Sequence, residues 1–183
     1  CMVVFMKRNP PSMTSPQDRP TCYDCMRPMS SCMCSHLSPI DTQTHFVILM
    51  HPMEYKKEKN GTGRLTHLQL KNSQIIMGID FTKDKSVNHF LDSHDYDSIN
   101  LSQEKKPFKD SRKKCCIFII DATWPCAKKM LKLSSNLHDV QTISFDNTNK
   151  SAFIIKQQPN ELCLSTIEST LILIQLLKKH GKE

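Results

Sequence analysis

An acid, a hydroxyl and the single tryptophan of the sequence stand together as Asp121-Ala122-Thr123-Trp124. A carboxylate can take a proton or hold a positive charge, a threonine hydroxyl can donate to a carbonyl, and an indole can stack on a nucleobase. The plainer reading is a turn aspartate and a core tryptophan. Position argues for chemistry. The apolar run Cys115-Cys116-Ile117-Phe118-Ile119-Ile120 has the length and β-branched character of a strand buried on both faces. Pro125 and the residues after it read as a helix opening, with Thr123 or Trp124 near the cap. A turn between such a strand and helix lies at the carboxyl end of a sheet, where α/β proteins bind ligands.

A second group is Cys22-x-x-Cys25, six residues, then Cys32-x-Cys34, which puts four thiols into thirteen residues. Four thiolates satisfy tetrahedral Zn²⁺ and leave no open coordination position, so the centre reads as structural. Free or redox-active thiols are the competing reading. No helix or strand pattern surrounds these cysteines, so the metal is expected to order the segment. Cys115, Cys116, Cys126 and Cys163 read as small buried hydrophobes.

Two further stretches could form helix starts facing a ligand. Gly61-Thr62-Gly63-Arg64 follows a strand at Thr44–His51, whose end reads His51-Pro52-Met53-Glu54, and a polar loop from Lys56 to Asn60. A glycine-flanked helix start exposes unpaired N–H groups suited to a phosphate or carboxylate, and Arg64 could add a bidentate contact. An ordinary turn with a solvated arginine is the alternative. Ser165-x-x-Glu168 is a capping box opening a helix from Thr166 to Lys179, in which Glu168 can be simply a cap. The basic run Lys105, Lys106, Lys109, Arg112, Lys113 and Lys114, with Lys128, Lys129 and Lys132 on the helix after Trp124, could form an RNA-phosphate surface. Such runs are more often solvated loops.

The elements that must position these groups follow from hydrophobic pattern. Further strands are expected at Ser73–Ile79, Ser98–Leu101 and Val140–Phe145, an extended piece at Ala152–Ile155, and a helix within Lys83–His94 carrying Val87, Phe90 and Leu91. Strands alternating with helices predict an α/β fold with a mainly parallel sheet flanked by helices. Residues 1–20, rich in proline, read as a loose arm; 21–40 as the four-cysteine zinc-binding segment; 41–183 as the catalytic domain.

Lysine and arginine number 25 against 18 aspartates and glutamates, a net charge of +7, which favours an anionic partner, nucleic acid first. No apolar run approaches the roughly 20 residues of a membrane span, so no membrane partner is expected. A first residue Cys1 suggests a shifted or clipped start. The absence of an export signal predicts a cytoplasmic protein with reduced cysteines.

In order, Cys22-x2-Cys25-x6-Cys32-x-Cys34, His51-Pro52-x-Glu54, Thr62-Gly63-Arg64, Asp121-Ala122-Thr123-Trp124 and Leu162-Cys163-x-Ser165-Thr166-x-Glu168 closely resemble the DTW-domain family of tRNA-uridine aminocarboxypropyltransferases. The likeness covers nearly all of the chain from Cys22 to Lys179. It implies a SPOUT-like fold related to the trefoil-knotted methyltransferases, S-adenosylmethionine as cofactor and tRNA as partner. It also implies the reaction, transfer of the 3-amino-3-carboxypropyl group to N3 of a uridine with release of 5′-methylthioadenosine. The catalytic group is then Asp121, Thr123 and Trp124. Asp121 is the candidate base, or a carboxylate that stabilises the sulfonium or holds a ribose hydroxyl. The cofactor-binding set is His51, Glu54, Thr62, Gly63, Arg64, Leu101, Leu164, Ser165, Thr166 and Glu168. Leu101 lies in Asn100-Leu101-Ser102-Gln103, which stands where the family often has a proline-containing loop. The rivals are an RNA methyltransferase using the same cofactor, a non-catalytic zinc-stabilised RNA-binding protein, and a thiol-redox protein.

Overall fold

Segments apolar at every position, rather than at alternate ones, become strands covered on both faces. In the computed structural model this holds for β1 (His45–Met50) and β4 (Lys114–Asp121), whose central residues are all buried. The structure describes residues 20–57, 61–101, 114–143, 164–179, 181 and 183. Within these, β2 (Ser73–Met77), β3 (Tyr96–Leu101) and β5 (Gln141–Ile143) complete a five-stranded sheet in the order β2-β1-β4-β3-β5, with every pairing parallel. The expected mainly parallel α/β fold is present.

Helices cover both faces, and residue parity along β4 decides which face each side chain meets. Cys115, Ile117 and Ile119 pack with Phe46 and with Leu173, Ile174 and Leu177 of α5 (Thr166–Lys179). Cys116 and Phe118 point the other way. They meet Val87 and Phe90 of α3 (Lys85–Asp92) and Met130 of α4 (Trp124–Leu133). The remaining helices, α1 (Pro52–Lys57) and α2 (Thr62–Gln69), follow β1; α2 packs beside α5. Full burial of each such phenylalanine, isoleucine or leucine contributes about 1.5–3 kcal/mol, so these two layers hold the strand ends in register.

Strand order marks the point at which open α/β sheets bind ligands. From β1 the chain moves to β2 on one side, whereas from β4 it moves to β5 on the other. The carboxyl ends of β1 and β4, adjacent through the pairing of Met50 with Asp121, therefore flank the point where the strand order reverses.

Local signals account for the helix boundaries. Asp84 caps α3 by accepting from the Ser86 and Val87 amides, both at 2.9 Å. Thr123 is the N-cap of α4, with Pro125 in its first turn. α1 occupies a stretch read from sequence as the entrance to a polar loop; Pro52 at its first position and Glu54 in its first turn are the signals for it. The cysteine segment contains only short 3₁₀ turns, Met29–Ser31 and Cys34–His36, and two isolated bridges, Thr21 with Pro28 and Ile40 with Leu70. The arm up to residue 19, the extended piece at Ala152–Ile155 and the end of the Val140–Phe145 strand lie outside the described residues. A knot is a property of the continuous path, which runs through 102–113 and 144–163, also outside them. Among the described residues no helix is long and apolar enough to cross a membrane.

Candidate active site and metal centre

Parity continues to the last residue of β4. Asp121 falls on the face shared by Ile117 and Ile119, the one covered by α2 and α5, and both helices present their amino termini to it. The Thr166 hydroxyl, at the first position of α5, donates to Asp121 Oδ1 at 2.8 Å across 45 residues of sequence. Gly63, at the second position of α2, is buried so close to this carboxylate that a side-chain methyl would run into Asp121 Oδ2, with Met50 Cε on its other side. The Thr166 amide donates to Thr62 Oγ1 at 3.3 Å, which joins the two helix starts. Three sequence motifs thus meet at one carboxylate. The hydroxyl bond and the two helix amino termini all favour negative charge there.

His51 and Glu54 come from the β1 side of the same crevice. The His51 amide donates to the Asp121 carbonyl at 3.1 Å, and its buried ring accepts from the Met53 amide through Nδ1 at 3.2 Å. With Nδ1 an acceptor, the neutral ring carries its proton on Nε2. Glu54 lies in the first turn of α1. Arg64, half-buried on α2, holds its guanidinium 4.3 Å above the Tyr55 ring of α1. Tyr55 belongs to none of the sequence motifs described above. Its signal is Pro52, which starts a helix and so sets Tyr55 on the helix turn after β1.

Beyond Asp121 the chain turns towards the opposite face. The Thr123 side chain makes no cap bond to α4, and its carbonyl accepts from Ala127 at 2.8 Å. Trp124 is 42 % exposed, not a core residue, and the Lys128 ammonium stands 4.9 Å from its ring centroid. Lys129 and Lys132 on the same helix are also exposed. Lys114 is exposed at the opposite end of β4, about 23 Å from Asp121 at about 3.3 Å per residue, and is not brought to the crevice. Lys105, Lys106, Lys109, Arg112 and Lys113 lie outside the described residues, while Leu101 ends β3.

The start of α5 is the capping box expected from sequence. Glu168 Oε2 accepts from the Ser165 amide at 2.8 Å and from its hydroxyl at 2.7 Å. Ser165 Oγ in turn accepts from the Glu168 amide at 3.4 Å. Leu164 precedes this box. At the other end of α2, burial and then the charge of Arg64 hold His67 below its ordinary range.

The four cysteines form a second, separate site. Cys22 and Cys34 sulfurs stand 3.7 Å apart, as do those of Cys25 and Cys32, and all four lie within 4.8 Å of one another. A tetrahedral centre with Zn–S bonds of about 2.3 Å separates its sulfurs by about 3.8 Å, so this cluster could hold a metal ion. The cluster is poised unevenly. Burial pushes the Cys34 thiol up to about 12, helped by its hydrogen bonds to Cys22, Cys32 and Cys25. Burial also acts to raise Cys25, but hydrogen bonds to the Arg27 and Met33 backbone and to neighbouring thiols outweigh it and bring Cys25 down to about 6. Elsewhere Cys115 and Cys116 are buried as expected, burial pushing Cys116 up to about 12; Cys126 is half-buried and Cys163 lies outside the described residues.

Comparison with known proteins adds the family context. The DTW domain family matches residues 19–183. The chain is 29 % identical over 177 residues to tRNA-uridine aminocarboxypropyltransferase 2 of Drosophila melanogaster, covering 91 % of this chain and 70 % of the fly protein. It is 26 % identical to the mouse protein of the same name, covering 89 % of this chain and 58 % of that relative. Against tRNA-uridine aminocarboxypropyltransferase A of Arabidopsis thaliana it is 23 % identical, over 90 % of this chain and 75 % of the plant protein. No solved structure matches.

Proposed function

Because the chain belongs to the DTW-domain family, we propose that it is a tRNA-uridine aminocarboxypropyltransferase that uses S-adenosylmethionine and modifies N3 of a uridine. The observation that carries this reading is the meeting of Thr62-Gly63, Asp121 and Thr166 at the carboxyl ends of β1 and β4. The relatives' names support the reaction class and the tRNA substrate. The site also fits the cofactor. Gly63 lets the Asp121 carboxylate close onto the start of α2, where a side-chain methyl would collide with it, and Arg64 supplies N–H donors suited to a carboxylate.

S-adenosylmethionine supplies an electrophilic propyl carbon next to a sulfonium. Held by Thr62, Gly63 and Arg64, that carbon would accept N3 as the carbon–sulfur bond broke with its electron pair going to sulfur, and 5′-methylthioadenosine would leave. The proton on uridine N3 must depart first. Asp121 accepts it, held in one orientation by the Thr166 hydroxyl. Trp124, exposed beside this carboxylate in sequence, stacks on the uracil, with Thr123 donating to a carbonyl. Thr62, Gly63, Arg64, Leu164, Ser165 and Thr166 line the cofactor side, joined by His51 and Glu54 from β1 and α1, by Leu101, and by Glu168 near the amino group. Lys128, Lys129 and Lys132, with Lys105, Lys106, Lys109, Arg112, Lys113 and Lys114, attract the tRNA backbone. Zn²⁺ on Cys22, Cys25, Cys32 and Cys34 orders the amino-terminal segment and supplies no chemistry to the crevice. The protein acts in the cytoplasm, and the fold is SPOUT-like.

Identification of the small-molecule product tests the reading. Incubation with S-adenosylmethionine and unmodified tRNA is expected to release 5′-methylthioadenosine. Release of S-adenosylhomocysteine would make the protein a methyltransferase, and failure to bind the cofactor in calorimetry would make it a non-catalytic RNA-binding protein.

A further inference from the structure

Arg64 is held by a ring and not by an acid. Its guanidinium lies over Tyr55, both side chains are half-buried, and no acid among the described residues is within ion-pair distance of it. An aromatic face attracts a cation through its quadrupole but takes up none of its N–H donors, whereas a carboxylate partner would occupy two. The contact also ties α1 to α2, the two helices that follow β1, and Arg64 is the residue after Gly63, which meets Asp121 at the start of α2. The arginine charge is felt one turn along α2, where it adds to burial in holding His67 low. Such a cation, fixed in place and unneutralised among the described residues, is complementary to a planar anion.

We propose that Tyr55 is a positioning residue that holds Arg64, with its donors open, to capture the α-carboxylate of S-adenosylmethionine. This inference rests on the function proposed above. It assigns to the pair the recognition of the one group that an aminocarboxypropyl donor has and a decarboxylated donor lacks.

Calorimetric titration of S-adenosylmethionine and of decarboxylated S-adenosylmethionine into wild type, Tyr55→Leu and Tyr55→Phe tests it, with thermal unfolding to verify each fold. Wild type is expected to prefer the carboxylated donor. Tyr55→Leu should weaken that donor roughly five- to thirtyfold and leave the decarboxylated one nearly unchanged; Tyr55→Phe, which keeps the ring, should match wild type. Equal weakening of both ligands, or an unchanged preference in folded Tyr55→Leu, overturns the inference. So does a folded Tyr55→Leu that, in a parallel titration with unmodified tRNA, loses tRNA affinity alone, which would make the partner an RNA phosphate. A wild type that binds the donor without preferring the carboxylate overturns only this inference, whereas no binding at all overturns the proposed function with it.

Discussion

The crevice at Asp121 and the cysteine cluster bring side chains together by opposite means. The cluster gathers four sulfurs from thirteen consecutive residues, with little hydrophobic core around them beyond Cys25 itself. The crevice gathers Gly63, Asp121 and Thr166 from three distant parts of the chain, each held by an element with a buried apolar face. Where a core exists, strand order and residue parity position functional groups to within a hydrogen bond. Where none exists, short spacing brings the sulfurs together, and a metal ion could hold them there. The first site should therefore respond to changes in packing and charge, and the second to removal of metal.

The largest separation is expected from Asp121→Ala. It should lower transfer by about 10²–10⁴-fold while leaving thermal unfolding and zinc content close to wild type; normal activity would remove Asp121 from the mechanism. Cys25→Ser should do the converse, with zinc by elemental analysis and solubility falling sharply and transfer per folded molecule changing much less. A variant that keeps its metal would show that the other three sulfurs suffice. Gly63→Ala brings a methyl against the Asp121 carboxylate and Met50, so about 1–3 kcal/mol of stability should be lost along with activity. Denaturant midpoints for this variant matching wild type would mean that α2 moves away at no cost.

The smallest effect is one of pH. His67, whose ring bonds with Ser73 at 2.9 Å, is held below its ordinary value of 6.5 by burial and then by Arg64. The unfolded chain therefore takes up the proton first. Stability from this group is complete above that value and declines as pH falls through the window beneath it. Urea midpoints between about pH 7.5 and about pH 5.5 should fall in wild type and less steeply in His67→Asn; identical slopes would contradict the assignment.

The two sites also differed in how far their residues could be read in advance. The cysteine spacing is self-contained, so the grouping of the four sulfurs was legible without any fold. β1 and β4 were legible because each is apolar at consecutive positions, and the Ser165–Glu168 box because it reciprocates within one turn. The bond from Thr166 to Asp121 and the approach of Gly63 were not, since neither residue carries a local mark of a partner so far away in sequence. Trp124 illustrates the limit of composition: a lone tryptophan is usually core, yet this one opens α4 and is 42 % exposed. Tyr55 carries no mark of its own in the sequence, because α1 is only six residues long and those beside Tyr55 are charged.

The central claim is that the assembly around Asp121 delivers an aminocarboxypropyl group to a uridine. Its most direct test is mass spectrometry of the nucleosides of an unmodified tRNA after incubation with the protein and S-adenosylmethionine labelled in the aminocarboxypropyl arm. The account predicts a labelled uridine bearing that arm on N3. Label absent from the tRNA, or a uridine gaining only an unlabelled methyl group, would contradict it.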